Sequence, residues 1–467
     1  MKDGETPPPC ARGLGPEPGA SAQIRGLDGL PLELVDSVFR HAARLNDSKR
    51  TISACACVSR QWRKLSLPHL FSSLKVARLL HFDDFCTFLT TRPDIARHVR
   101  NLQLMRLRRY GGIPVAEAIV GPNISHTDLI NIVTRLPRLQ TLHLDNVFIL
   151  HSTGDLTSPE ALLPTAHLRL QKLSMSSCSG RVGPMAVLAL PTLFDSLTIF
   201  PADVVDLSWL TIACDSGEVT FDGIQLPPAT YQPNQTLNVR SLILDKISNR
   251  GWSLSDTTRL YSMFRQALAP RCLTSFQAQR RKDLHVVQPK PTFDKRNPHA
   301  LRVLGELLEH AGGDALLHLS LPFSIEGESP EDRPEHWRIL RLHKCCNIES
   351  FTLSLDRPLD LPGTHAISRI PLSTGCIALL AHLPSTLREF TLVLWPNITS
   401  EEIQDRAVLN LQALDDTLTS RFPRLAEVEI VLPFNSTFHE TYQAVVNTMH
   451  KCSERRLLKG RRWGRAW

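Results

Sequence analysis

The chain of 467 residues is 42% hydrophobic and 21% charged. This composition excludes a globally disordered chain and leaves enough apolar residues for about three ordinary domains, or for one long repeat array with a small module. The formal net charge is +7, but residues 451–467 contribute +6, so the other 450 residues carry only +1. A nucleic-acid-binding body has a basic face, and we therefore expect no nucleic acid to bind the body of the fold.

The longest stretch without Asp, Glu, Lys or Arg is Ile370–Leu387, and it is broken by Pro371 and Pro384. A membrane-spanning helix needs about 20 apolar residues, so we expect no membrane span. The segment Met1–Pro9 has no apolar stretch, and the 11 cysteines follow no framework spacing. We therefore expect no secretory signal, and reduced thiols in the cytoplasm or the nucleus.

Residues 1–26 are rich in Pro and Gly and predict a disordered leader, and residues 27–75 predict a module of three short helices. Pro31 suits the first position of the first helix. The second helix is expected to run through Ile52 to Val58. The third starts at Arg60 and is expected to end before Pro68, because the residue before a proline disfavours the helical region.

Residues 76–450 repeat the pattern apolar-x-x-apolar-x-apolar, often behind a helical segment. The ten matches start 24 to 45 residues apart. They are Val99/Leu102/Leu104, Leu139/Leu142/Leu144, Leu170/Leu173/Met175, Phe194/Leu197/Ile199, Val239/Leu242/Leu244, Leu273/Phe276/Ala278, Leu316/Leu319/Leu321, Ile348/Phe351/Leu353, Leu387/Phe390/Leu392 and Leu425/Val428/Ile430.

A helix, a short turn and a short strand in repetition predict an α/β fold built as an irregular leucine-rich-repeat solenoid. An ordinary α/β domain with mixed connections is the alternative. Residues 451–467 predict a basic tail. A solvated, disordered end is the favoured interpretation of this tail, followed by a nuclear-import signal and then by contact with anionic lipid or nucleic acid.

The segment Leu30–Leu74 resembles an F-box, through Leu30-Pro-Leu-Glu-Leu34, Ala54-Cys-Ala-Cys-Val-Ser-Arg-Gln-Trp62 and Pro68-His-Leu-Phe71. With the leucine-rich units behind it, the chain is similar to the large fungal F-box families. This resemblance implies a non-catalytic substrate receptor of an SCF-type cullin–RING ubiquitin ligase, in which the F-box binds a Skp-family adaptor, and through it a cullin, while the solenoid binds a protein substrate. By matching motif positions, it implies an adaptor-binding set of Leu30, Pro31, Leu34, Val38, Val58, Arg60 and Trp62. For Leu34, Val38 and Trp62, the core of the module is the competing role.

In each leucine-rich unit, the residue between the last two apolar positions should face outward from the sheet. The substrate-binding residues expected on this face are Gln103, His143, Ser174, Thr198, Gln277, Thr352 and Thr391. They include no Lys or Arg, so the face favours an unmodified protein segment over a phosphorylated one.

We find no nucleophile elbow, no phosphate-binding glycine loop and no Cys-x-x-Cys pair. The sequence therefore predicts no catalytic residue, no metal site and no cofactor. A non-catalytic leucine-rich interaction scaffold that acts outside ubiquitination is the alternative function.

Overall fold

The computed structural model describes residues 31–42, 48–77, 82–105, 123–150, 169–176, 178, 188–208, 210, 212–213, 236–245, 254–278, 298–324, 334–356, 372–395, 398–433 and 438–463. Leu30 and the expected leader, residues 1–26, lie outside these ranges. The chain divides into two compact units, which we call the helical unit (Met1–Leu70) and the sheet unit (Phe71–Trp467).

The α-helices are α1 Leu32–Ala42, α2 Ser48–Ala56, α3 Arg60–Phe71, α4 Asp83–Thr91, α5 Pro93–Ala96, α6 His126–Thr134, α7 Leu190–Ile199, α8 Leu254–Ala267, α9 Pro298–Leu307, α10 Leu372–Leu380, α11 Ser400–Gln404, α12 Leu411–Arg421, α13 Phe438–Thr448 and α14 His450–Glu454. A π-helical turn spans Leu308–Gly312, and 3-10 helices span Gly313–Ala315, Pro334–Leu340 and Leu342–Lys344.

The strands are β1 Ser73–Ala77, β2 Asn101–Met105, β3 Asn123–Ser125, β4 Thr141–Asp145, β5 Phe148–Leu150, β6 Leu170–Ser176, β7 Leu188–Ala189, β8 Ala202–Ser208, β9 Ile212–Ala213, β10 Ser241–Asp245, β11 Ser275–Gln277, β12 His318–Ser324, β13 Ser350–Asp356, β14 Glu389–Val393, β15 Glu427–Pro433 and β16 Leu458–Trp463.

The helical unit is built on one face of α1. Val35 and Phe39, one helical turn apart, are buried with Ile52 of α2. The ring of Phe39 meets Trp62 of α3 edge-on, with 5.6 Å between ring centroids. The three helices therefore share one small apolar core.

The sequence predicts that helix α3 ends before Pro68. Instead, the helix continues through Pro68 to Phe71. A proline inside a helix removes one backbone hydrogen bond. Here the last turn is held by tertiary contacts, since the His69 ring lies 2.8 Å from Asp36 Oδ1 and Leu70 packs against the core. These contacts offset the lost hydrogen bond.

In the described part of the sheet unit, twelve strands form one parallel sheet in the order β1-β2-β4-β6-β8-β10-β11-β12-β13-β14-β15-β16. The mixed α/β class expected from the sequence is confirmed. Strands that follow chain order in a parallel sheet place their right-handed crossovers on a single face. Burial agrees with this arrangement. The apolar residues of the repeated pattern are almost fully buried on one face of the strands, whereas many of the residues between them, on the other face, stay accessible. The large core therefore lies between this face and the helices.

One of the ten predicted units is wrong. Phe194, Leu197 and Ile199 lie in helix α7, and the strand of this unit is β8, where Ala202, Val205 and Leu207 have the same offsets. The apolar face of a helix can imitate the strand pattern over six residues, and Ala202 is a weak apolar signal. With β8 in place of the helix, successive units start 31 to 43 residues apart.

Gly305 allows α9 to approach the backbone of the 3-10 helix Pro334–Leu340. A Cβ atom at this position would lie 2.5 Å from the Ile339 carbonyl oxygen and 2.9 Å from Leu340 Cα. Helix propensity alone would make Gly305→Ala stabilising by about 1 kcal/mol. We expect the opposite, a loss of roughly 1–3 kcal/mol in the free energy of unfolding, because backbone atoms must move apart. Urea unfolding of Gly305→Ala measures this loss, and Arg302→Ala is the control because Arg302 is exposed on α9. A Gly305→Ala protein more stable than the wild type would contradict the prediction.

Candidate protein-binding surfaces

The helical unit separates the expected adaptor-binding residues into two groups. Leu34, Val38 and Val58 are 53%, 61% and 66% exposed. Pro31 and Arg60 are also exposed. Trp62 is instead partly buried against Phe39.

Leu34 and Val38 lie one turn apart on α1, beside the face that carries Val35 and Phe39. Because Val35 and Phe39 fill the core, Leu34 and Val38 remain on the surface. An exposed aliphatic residue alone is ordinary, but four of the five large hydrophobic residues that are exposed in the described ranges belong to the helical unit: Leu32, Leu34, Val38 and Val58. Leu32 lies about 200° around α1 from Leu34 and therefore does not lie beside it. We call Leu34, Val38 and Val58 the apolar surface set.

Polar contacts fix the elements that carry this set. The backbone N–H of Trp62 donates to Ser59 Oγ at 3.1 Å, which caps the start of α3 directly after Val58. On α1, Asp36 accepts from Arg40 at 2.6 Å and lies 2.8 Å from the His69 ring. The hydrogen bond with His69 keeps the pKa of the Asp36 carboxyl below its usual value. The start of α3 and the position of α1 against His69 are therefore held by side chains outside the apolar surface set.

In the sheet unit, six of the seven expected substrate-binding residues lie on one strand face, where five are partly accessible and Ser174 is buried. The strand register aligns them in one line across the sheet, which we call the transverse row. Its members are Lys75, Gln103, His143, Ser174, Asp206, Ile243, Gln277, Ser320, Thr352, Thr391, Glu429 and Lys459.

Thr198 does not belong to the transverse row, because it lies in helix α7, where its hydroxyl donates to the Phe194 carbonyl at 2.9 Å. Asp206 takes its place in β8 and pairs with Lys172 at 2.6 Å. The error follows from the misassigned unit. Asp206 therefore adds to the row a charge that the sequence did not predict.

The charges of the transverse row lie outside its centre. At the carboxyl end of the chain Glu429 pairs with Arg461 at 3.0 Å and Glu427 pairs with Lys459 at 2.6 Å. From Ile243 to Thr391 the row is uncharged, and we call these five residues the neutral band. Ser320 Oγ, in the middle of the band, is buried and has no hydrogen-bond partner among the described residues. Such a group usually requires a partner.

The expected basic tail is largely part of the fold. Residues 450–463 form α14 and the edge strand β16 rather than a disordered end. Lys451, Lys459 and Arg461 pair with Asp416, Glu427 and Glu429. At Gly460, where other strands carry an apolar residue, a Cβ would fall 2.5 Å from the Tyr442 ring. The tail escaped detection as a strand because this glycine interrupts the apolar pattern.

The described residues contain no group of three or more His, Cys, Asp or Glu side chains suited to a metal ion. The His126 ring lies 2.9 Å from Ser196 Oγ, but both residues are buried and the Ser196 hydroxyl donates to the Thr192 carbonyl. Burial raises the pKa of the Cys178 and Cys345 thiols to about 12, so both stay protonated and weakly nucleophilic at neutral pH. These groups therefore act as parts of the core.

No model of a known protein family and no curated protein matches the chain. Among the described residues, no helix combines the length and apolar character that crossing a membrane requires.

Proposed function

We propose that this chain is the substrate receptor of an SCF-type cullin–RING ubiquitin ligase. In this proposal the helical unit is an F-box that docks on a Skp-family adaptor, and the sheet unit is a leucine-rich-repeat solenoid that holds the protein to be ubiquitinated. The observation that carries the proposal is the apolar surface set. Leu34, Val38 and Val58 occupy motif positions of the resemblance and are more than half exposed, while other residues supply the core.

An apolar set on a small, capped helical unit is suited to a protein partner. Docking would remove three aliphatic side chains from water, at about 25 cal/mol for each Å² of apolar surface. Polar groups such as Asp36 and Arg40 lie on the same helix and would form the rim of the contact.

The sheet unit supports the second half of the proposal. Its strands follow chain order, its helices cover one face, and its other face presents the neutral band. A peptide that lies across this face would find the hydroxyl and amide groups of Gln277, Thr352 and Thr391, which are only partly buried. Such groups recognise an uncharged segment by hydrogen bonds.

The chemistry of this proposal belongs to the rest of the ligase. The receptor brings the substrate and the ubiquitin-loaded enzyme into one complex, so transfer becomes effectively intramolecular. The residues of the chain contribute by binding and orientation.

Co-purification with the Skp adaptor tests the proposal. We expect the wild-type chain to capture the adaptor. The affinity of Leu34→Asp/Val38→Asp for the adaptor should be lower by at least about 100-fold, because two charges would enter the apolar contact. Leu32→Asp is the matched control. It places the same charge on an exposed leucine of α1, about 200° around the helix from Leu34, and should retain capture.

Two results would contradict the proposal: no capture by the wild-type chain, or equal capture by the wild type and Leu34→Asp/Val38→Asp. A second measurement separates the receptor from an interaction scaffold. If the chain is a receptor, proteasome inhibition raises the abundance of its bound partner, whereas the partner of a scaffold does not change.

A further inference from the structure

A shallow depression of about 420 Å³ opens at the edge of the sheet where β2, β4 and β6 begin. Three arginines and two glutamines line it, together with Pro137 and Leu139. They are Arg100, Arg138, Arg169, Gln140 and Gln171. In the sheet unit the sequence predicts binding residues only on the strand face, whereas the residues of the depression lie at the edge where the strands begin.

Backbone hydrogen bonds hold the lining segments side by side. The Gln140 N–H donates to the Arg100 carbonyl at 2.7 Å, and the Gln171 N–H donates to the Gln140 carbonyl at 2.7 Å. Two of the segments repeat the sequence Arg-Leu-Gln, as residues 138–140 and 169–171. Leu139 and Leu170 are buried in the core, so the flanking Arg and Gln residues are fixed at the surface.

The depression is positively charged and none of its lining residues is acidic. Arg169 is held by Asp203 at 2.7 Å and donates to the Asn238 carbonyl. Neither Arg100 nor Arg138 has an ion pair among the described residues. Burial, followed by the charges of Arg97 and Arg138, lowers the pKa of nearby His98, whereas Asp94 opposes this shift.

This positive charge does not continue along the edge of the sheet. Before β10 and β14, Arg240 and Arg388 lie within 4.0 Å and 3.9 Å of Asp203 and Glu349. A polynucleotide would require a longer unpaired basic track. A single compact anion would fit the guanidinium groups of Arg100 and Arg138, which can bind a phosphate with paired N–H donors.

We propose that this depression binds the phosphate monoester of a phosphorylated protein segment, with Arg100 and Arg138 as its ligands and Gln140 and Gln171 as neutral donors. The volume suits one phosphorylated side chain and its neighbours. The proposal concerns the sheet unit and does not depend on adaptor binding. If the chain is also a ligase receptor, a phosphorylated segment becomes its substrate class, in contrast to the unmodified segment that the strand face favours.

The test measures binding of labelled peptides to the full chain by fluorescence anisotropy at 150 mM salt. One fluorescein-labelled peptide pool carries a central phosphoserine with randomised flanks, and the comparison pool carries serine at that position. We expect the phosphorylated pool to bind at least about tenfold more tightly, inorganic phosphate to compete, and Arg100→Gln/Arg138→Gln to remove the difference. Arg424→Gln is the control, because Arg424 is exposed in a matching Pro-Arg-Leu turn before β15, at the other end of the sheet. It should bind like the wild type.

Equal binding of the two pools, or equal weakening by Arg424→Gln, would overturn the proposal. A single-stranded RNA 20-mer that binds more tightly than the phosphopeptides, and depends equally on Arg100 and Arg138, would overturn it in favour of nucleic acid. Thermal unfolding should be the same for both variants and the wild type, because the replaced side chains are exposed.

Discussion

Replacing Phe39 with Ala should unfold the helical unit and leave the sheet unit folded. Phe39 is buried, meets Trp62 edge-on at 5.6 Å and lies 6.0 Å from the His69 ring. Phe→Ala in a core costs about 3–5 kcal/mol. Among the described residues of this unit, the fully buried apolar core is Val35, Phe39 and Ile52, so the unit has little more stability than this to lose.

Hydrogen exchange followed by mass spectrometry measures this effect separately in each unit. Peptides from residues 31–70 should exchange at the rate of an unfolded chain in Phe39→Ala, whereas peptides covering β12 to β15 should keep wild-type protection. Leu34→Ala is the control, because it removes an exposed side chain and should change stability by less than about 0.5 kcal/mol. Protection of residues 31–70 in Phe39→Ala, or its loss in Leu34→Ala, would show that core and surface are assigned to the wrong residues.

The second large effect is expected at Asp415 of α12. This residue is 0% exposed, and its carboxylate accepts the backbone N–H groups of Lys451 at 2.7 Å and Cys452 at 2.9 Å, at the start of α14. Removing a charged acceptor leaves two donors unpaired beside the core. We expect Asp415→Ala to lower the free energy of unfolding by roughly 3 kcal/mol. The substitution should also release α14 and β16 from the edge of the sheet.

The neighbouring residue offers a matched control. Asp416 pairs with Lys451 at 2.9 Å, but both side chains are about half exposed, and such pairs contribute less than about 1 kcal/mol. Urea unfolding and hydrogen exchange of residues 450–463 should therefore distinguish Asp415→Ala from Asp416→Ala. Equal effects of the two substitutions would contradict a capping role for Asp415.

The basic residues of β16 are held by neighbouring side chains. Lys459 and Arg461 are held against Glu427 and Glu429 of β15, and the guanidinium of Arg462 lies 4.7 Å from the centroid of the Phe438 ring. A strand edge that carries charged side chains resists pairing with other chains. These residues therefore give the edge strand of the described sheet a charged border.

The spacing of apolar residues determined most of the sheet by itself. In nine units, including Leu102/Leu104 and Phe351/Leu353, alternation places buried side chains on one face of a short strand. This local rule also located six of the seven expected residues of the accessible face. It failed at Phe194, because a helical face has the same short spacing, and at β16, because Gly460 has no side chain at a position where other strands carry an apolar residue.

The helical unit depended more on its tertiary structure. Leu34, Val35, Val38 and Phe39 are adjacent apolar residues on α1, and their spacing is compatible with either pair facing inward. The approach of α2 and α3 buried Val35 and Phe39 and left Leu34 and Val38 in solvent. The arginines of the depression, which are distant in sequence, likewise became neighbours only through strand pairing. Sequence periodicity thus determined which segments become strands, whereas packing between elements decided which side chains are available to a partner, because exposure is a property of neighbours and not of the residue alone.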